Sequence, residues 1–462
     1  MIFTEPAFFV FLAAVFLGSV VLARWSPVEK GFLLAASLVY FATWGLFDVG
    51  LFIVTAGISY ALIALMARAP EPRGRWLFIA VIVFNIGVLA VYKYARFLAV
   101  SLEGVTGLRL TDIGIDPDLL PDRFPLGISF YVFHLISYAV DIRDRKYPIS
   151  SPFGFACYIA FFPHLLAGPI VRGGMLIPQF ERRILWRERR IADGSFDFCV
   201  GLFFKVLADR IAPLADPFWT TASVADSGML NAGVASLLFS FQIFGDFAGY
   251  SLMALGMARW LGYELPLNFR YPYAVGSFQE FWRHWHITLS QWLRDYLYIR
   301  VFGGSQHSHL ALTYMALLAT MVIGGLWHGP NWTFVAWGAI HGVALVVERL
   351  LGLHERAAWP VRLLWYVVVQ VVVILAWIFF RSPTFDLAWM VLRELTSLRF
   401  PPLRAEFLYG LALILPMVAY HAAYAVGLRP VHPWLRAILA GLCLGAALTF
   451  NEAPANFLYF AF

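Results

Sequence analysis

The sequence predicts an all-α fold, a polytopic bundle of membrane helices, and three observations carry that reading. Of 462 residues, 61% are hydrophobic and only 13% are charged, and the mean hydropathy is +0.73. Soluble globular chains run nearer half apolar and a quarter charged, and a single core stops growing near roughly 250–300 residues. A bilayer is the solvent left for the excess. The apolar residues also fall in blocks of spanning length, since about 20 residues at ~1.5 Å rise cover a hydrocarbon core of ~30 Å. Finally, no polar stretch reaches the length of a soluble domain, so residues 1–462 read as one integral membrane domain.

The plainest blocks are Pro6–Ala23, Leu77–Tyr92, Leu310–Leu326, Trp332–Val347, Leu363–Phe380, Leu408–Val426 and Ala437–Phe450. With shorter blocks between them, roughly ten to thirteen membrane segments are expected. The first block follows Glu5 rather than Lys or Arg, and no clean small-x-small cleavage pattern follows it. It reads as a retained spanning helix and not a cleaved signal. The connections are charged unequally. Arg68–Arg75 and Arg172–Arg190 are basic, whereas Glu103–Asp122 sets Asp112, Asp116, Asp118 and Asp122 against Arg109. The positive-inside rule puts the first two in the cytoplasm and the third outside. Net charge +6 and a pI near 9.2 are read as this bias, not as nucleic-acid binding. Cys157, Cys199 and Cys443 sit far apart in apolar surroundings, with neither disulfide pairing nor a zinc signature.

The segment Arg259–His309 interrupts the apolar blocks and is expected to be cytoplasmic or interfacial. Two prolines in Leu265–Tyr273 predict extended or turned chain. A helix is expected from Ser277, which can cap it with Glu280 at the capping-box spacing. Trp282, Trp285, Leu289, Trp292 and Leu293 then form one apolar stripe suited to the membrane interface. His284 and His286, two apart on such a helix, point about 200° from each other and cannot share a metal. His286 lies nearer the apolar face, with Leu289, Leu293 and Trp282.

Ionisable groups inside apolar blocks cost ~2.5 kcal/mol or more, so each is a functional candidate. His134, His164, His328, His341 and His421 qualify. His328 stands out: Met315–Trp327 is uncharged, Gly324-Gly325 permits close approach of another backbone or a ligand, and Gly329-Pro330 ends the helix. A histidine there, with an ordinary pKa of about 6.5, suits proton abstraction from a hydroxyl. His341 and the other three read as structural polar contacts. Asp246 is a lone buried carboxylate that needs a partner such as an arginine. No Gly-x-Ser-x-Gly elbow, phosphate-cradling loop or dinucleotide fingerprint is present.

Taken together, Phe161–Ile170 (Phe-Phe-Pro-His-Leu-Leu-Ala-Gly-Pro-Ile), Ser277–Tyr298 and Gly324–Gly329 resemble the membrane-bound O-acyltransferase family, above all its bacterial alginate O-acetyltransferase branch. Pro125–Phe130, Trp377–Arg381 and Ala453–Phe460 add supporting matches, in order along the chain. The resemblance implies helices of uneven length and tilt around a central tunnel. It implies that His328 is the essential histidine and His286 a second polar residue, both shared with the D-alanylation proteins of Gram-positive bacteria. It further implies a cytoplasmic thioester donor, acetyl-CoA or an acyl carrier, and a hydroxyl acceptor on a cell-surface polysaccharide. Separate periplasmic acetyltransferase partners and a bacterial inner-membrane location follow from the same branch. No bound cofactor or metal is expected, and Arg283 and Arg294 are candidates to meet donor phosphates. Two alternatives stand beside this reading: D-alanyl transfer to teichoic acid, and a transporter whose intramembrane histidines relay protons. An arginine-rich chain with lysine only at Lys30, Lys93, Lys146 and Lys205 suits a GC-rich genome and weighs against the first.

Overall fold

The structure is a computed structural model and describes residues 1–107, 109–113, 120–121, 124–304, 309–352, 359–428 and 432–450. The Ala453–Phe460 motif and Asp116, Asp118 and Asp122 lie outside the described residues. Among the described residues every regular element is helical. Eight helices are long and apolar enough to cross a membrane: Leu46–Arg68, Arg73–Thr106, Gly228–Leu261, Leu310–His328, Trp332–Leu351, Trp359–Arg381, Ala405–Ala425 and Pro433–Phe450. Fewer helices qualify than the ten to thirteen expected segments because other apolar helices are short. Pro6–Leu22 and Ser26–Ala42 have 17 residues each, about 25 Å at ~1.5 Å rise.

Most of these helices turn large apolar side chains outward. Leu46, Val10 and Leu448 are 80%, 72% and 66% exposed, as lipid-facing residues must be. The helix Gly228–Leu261 differs: 72% of its apolar window is buried, against at most 39% in the other seven. It is a core helix and the rest are lipid-facing.

The chain divides into two compact units. The first comprises Phe3–Gly194 with Met257–Pro266 (and Met1). In it, Leu46–Arg68 and Arg73–Thr106 form a hairpin, and Asn85 donates to Ser59 Oγ across it at 2.9 Å. The helix Ile128–Arg143 returns so that Arg143 pairs with Glu71. That pair brings the end of Ile128–Arg143 against the Arg68–Arg75 connection. The basic stretch Arg172–Arg190 holds one surprise. Arg189 is not a rim charge but is buried, pairing with Glu29 at 2.6 Å and donating to Ser19 Oγ at 2.9 Å. It clamps Pro6–Leu22 to Ser26–Ala42. His134 Nε2 accepts the Val171 N–H at 3.0 Å, and His164 Nε2 donates to the Tyr158 carbonyl at 3.1 Å, so both serve as packing contacts.

The second unit comprises Ser195–Gly256 with Leu267–Phe462 (and Ile2). Its helix Ile191–Ala215, from Ser195 on, meets Gly228–Leu261 backbone to backbone: a Cβ on Gly249 would lie 2.6 Å from the Gly201 carbonyl oxygen. Beside that crossing Asp246 pairs with Lys205 at 2.9 Å, and Asp209 joins the same ammonium. The buried acid therefore has a lysine partner rather than the expected arginine. His421 Nδ1 donates to the Met417 carbonyl at 2.7 Å. The expected central tunnel is not shown; the described residues of this unit do form a cavity of about 800 Å³, with Trp282, Ile287 and Glu348 in its lining.

Candidate active site

The site is assembled from two chain breaks, both in the second unit. The first interrupts the segment expected to be one helix. Ser277 caps it as predicted, its Oγ accepting the Glu280 N–H at 3.0 Å. The Glu280 carboxylate accepts the N–H of Gly276 at 3.2 Å, one residue before the capping-box position. The helix Phe278–His284 then stops. Trp285 is extended and His286 adopts φ 41°, ψ 54° before helix resumes at Ile287–Trp292 and widens into a π-turn over Leu293–Tyr298. The angle of 200° between His284 and His286 therefore does not apply. Nor is the tryptophan stripe an interfacial surface: Trp282, Trp285, Leu289, Trp292 and Leu293 are all buried.

A left-handed backbone costs a non-glycine residue roughly 1–2 kcal/mol, and Asn268 supplies what holds it. Its carbonyl accepts the Ile287 N–H at 2.8 Å. Its Oδ1 accepts from Thr288 N–H at 3.3 Å, Thr288 Oγ1 at 2.9 Å and His286 Nδ1 at 3.0 Å. The amide Nδ2 donates to Ser251 Oγ at 3.1 Å. A backbone N–H can only donate, so the atom facing Thr288 and His286 is the amide oxygen. His286 must then carry its proton on Nδ1, which makes Nε2 the basic atom of the ring. Lying outside the spanning helices and fully buried, His286 has its pKa pushed down to about 3 by burial, so the ring is neutral at pH 7. Glu348 anchors the same segment from below: it accepts the N–H of Phe278 at 2.7 Å, of Gln279 at 3.0 Å, and Trp365 Nε1–H at 3.2 Å.

The second break is the predicted one at Gly329-Pro330. The helix Leu310–His328 ends there, and Asn331 caps Trp332–Leu351 by accepting the Thr333 N–H at 3.0 Å. Glycines let these two helices touch: a Cβ on Gly325 would lie 2.2 Å from the Phe334 carbonyl oxygen, and one on Gly338 2.3 Å from that of Met321. His328, 4% exposed, sits among Trp327, Trp337 and Phe380, with ring centres 5.0, 5.0 and 5.2 Å away. Its ring centre is 6.5 Å from that of His286. The two histidines singled out from sequence thus meet, 42 residues apart in the chain.

His341 departs from its structural reading. It is fully buried, yet among the described residues neither ring nitrogen meets a hydrogen-bond partner. The cavity of about 800 Å³ is lined by Trp282, Ile287, Thr320, Glu348, Arg283 and Arg294, among others. Both predicted arginines therefore face one space, although Arg294 is also paired with Asp295 at 2.7 Å. Asn268 and Glu348 were missed in the sequence. The signals were there: an amide in a proline-bounded extended stretch, and a carboxylate at the edge of an apolar block, beside Arg349. Neither signal names its partner.

Two buried imidazoles whose ring centres lie 6.5 Å apart, one of them basic at Nε2, can deprotonate and orient a hydroxyl. Residues 91–385 match the model of MBOAT, the membrane-bound O-acyltransferase family; the chain belongs to this family and is a multi-pass membrane O-acyltransferase. It is 37% identical to a probable alginate O-acetylase of Azotobacter vinelandii, over 86% of this chain and 78% of that protein. It is 32% identical to a peptidoglycan O-acetyltransferase of Helicobacter pylori, over 86% of this chain and 80% of the relative. A teichoic acid D-alanyltransferase of Streptococcus thermophilus is 27% identical over only 48% of this chain and 56% of its own length.

Proposed function

We propose that the chain acetylates a cell-surface polysaccharide, alginate or a polymer like it, drawing the acetyl group from a cytoplasmic thioester. The observation that carries the reading is the meeting of His286 and His328, 6.5 Å between ring centres, beside an arginine-lined cavity. The acceptor class rests on the relatives: O-acetylases match over most of the chain, whereas the D-alanyltransferase matches half of it at lower identity.

A thioester is already activated, so the enzyme has to position it and make a nucleophile. His328 removes the proton from the acceptor hydroxyl as that oxygen attacks the thioester carbonyl. The new C–O bond gives a tetrahedral oxyanion; its collapse breaks the C–S bond, and the leaving thiolate takes the proton back from the His328 imidazolium. His286, basic at Nε2, accepts a hydrogen bond and so orients a hydroxyl or the protonated partner ring; it is the wrong tautomer to donate to the carbonyl. Arg283 and Arg294 meet the phosphates of acetyl-CoA or of a carrier's pantetheine arm. The positive-inside rule turns their end of the cavity to the cytoplasm of a bacterial inner membrane. Periplasmic acetyltransferase partners complete delivery to the polymer.

The test is turnover of labelled acetyl-CoA, and of acetylated carrier, by the purified full-length chain in lipid nanodiscs. His328→Ala should lower kcat at least a thousandfold with an unchanged thermal melt. A folded His328→Ala protein at wild-type kcat would overturn the assignment.

A further inference from the structure

The sequence offers no donor for the oxyanion of acyl transfer, and neither does the His286–His328 pair, since the tautomer of His286 leaves its Nε2 an acceptor. His341 fills that gap. Its ring lies flat on Phe281 (centroids 5.6 Å, 8° between planes), with Trp282 and Trp337 edge-on at 5.1 and 4.9 Å. A phenylalanine would fill such a box equally well, without nitrogen. The imidazole is fully buried and, among the described residues, both of its nitrogens lack a hydrogen-bond partner. The indole N–H groups of Trp282 and Trp337 are in the same condition. Each unsatisfied buried polar group costs roughly 1–3 kcal/mol, so three side by side is an arrangement that packing alone disfavours.

Position says what they are for. Trp337 touches His328 (ring centres 5.0 Å apart) and His341 (4.9 Å). Trp282 touches His341 and also lines the cavity. On the helix Trp332–Leu351, Trp337, His341 and Leu345 follow at intervals of four, one face of the helix, and Leu345, Glu348 and Arg349 line the cavity. The face runs from the arginine-lined end of the cavity to His328. From Trp337 to Arg349 is about 18 Å, twelve residues at ~1.5 Å, the order of length of an extended pantetheine arm.

We infer that His341, with the indole N–H groups of Trp282 and Trp337, is the polar station that receives the donor's thioester carbonyl and holds the oxyanion formed from it. His328 then works on the hydroxyl from the other side of Trp337. No bond is made or broken at His341; it donates a hydrogen bond that strengthens as charge develops on the oxygen. This inference rests on the acyl-transfer reading of His328.

His341→Phe and His341→Gln separate shape from hydrogen bonding. In nanodiscs with labelled acetyl-CoA, His341→Phe should lose about a hundredfold in kcat with KM for the donor within twofold. His341→Gln, which keeps a donor, should regain at least tenfold of that loss. The same order should hold for acetyl content of the surface polysaccharide in producing cells, which supply the native donor. His341→Phe should also melt no lower than wild type, because it removes unsatisfied nitrogens and keeps the ring. Wild-type kcat for His341→Phe, equal losses in Phe and Gln, or a lower melting temperature for Phe would each overturn the inference. Retained turnover in His328→Ala would instead sink the parent reading, so the two failures are distinguishable.

Discussion

At the scale of single residues, the site depends on which nitrogen of His286 carries the proton, and that choice belongs to Asn268. One amide oxygen accepts from His286 and twice from Thr288, while its NH₂ is tied to Ser251. Asn268→Leu keeps the volume and removes the acceptor. The imidazole is then free to take either tautomer, and the left-handed turn loses three side-chain hydrogen bonds. A catalytic group displaced by about 1 Å loses on the order of 10²-fold in rate, so kcat should fall about a hundredfold in steady-state assays. Asn268→Asp, which keeps an acceptor for Nδ1–H, should lose markedly less. Equal kcat in wild type and the leucine variant would remove Asn268 from the machinery. His328 was legible because its flanking glycines and proline announce a helix end. His286 was singled out by the apolar face it was read on, but its pairing with His328 came only from family resemblance, since the pattern around it reads as continuous helix. What breaks that helix is Asn268, 18 residues away, and a local pattern carries no trace of a partner at that distance.

At the scale of elements, the positions of the histidines are set by how closely two helices approach. Leu310–His328 and Trp332–Leu351 meet through glycines, and the space they leave is not uniform. A methyl at Gly338 would press on the backbone oxygen of Met321 at 2.3 Å, whereas at Gly342 the nearest atom is the end of the Leu318 side chain at 2.8 Å. Backbone cannot yield as a side chain can. Gly338→Ala should therefore cost about 1–3 kcal/mol of stability and most of the activity, because separating the helices draws Trp337 from His328. Gly342→Ala should cost less, and Gly441→Ala, with nothing within 4 Å, should be neutral. Thermal melts of the three variants in one detergent check the order; a melt for Gly338→Ala matching Gly441→Ala would refute it. The glycine doublet before His328 forecast this contact from sequence. The position of Glu348, 70 residues from the Phe278 N–H it accepts, could not be forecast, because an acid at the edge of an apolar block, with Arg349 beside it, reads as an ordinary helix-end charge.

At the scale of the whole molecule, composition and hydropathy were enough for the class: an all-helical membrane protein with lipid-facing leucines and valines. The charge pattern does not tell the role of an individual arginine. Arg189, in the most basic stretch, proved to be an internal clamp bound to Glu29, so a count of arginines overstates the charge a rim presents. Arg283 and Arg294 differ from it in being exposed and lining the cavity. Charge-assisted hydrogen bonds are worth roughly 1.5–3 kcal/mol when well formed, and exposure and the competing Asp295 reduce that to about 1 kcal/mol each. That is about a fivefold effect on donor binding per arginine. Replacing both with alanine should raise KM for acetyl-CoA about twenty-five-fold and leave kcat within a factor of two, because the chemistry lies at His328. The wild-type KM should rise with salt and that of the double variant should rise less, since screening acts on the charges removed. Arg24→Ala, which removes a cation stacked on Trp25 at 3.6 Å, serves as the control for general loss of surface charge. Kinetics of the double variant indistinguishable from wild type across salt would place the donor's phosphates elsewhere.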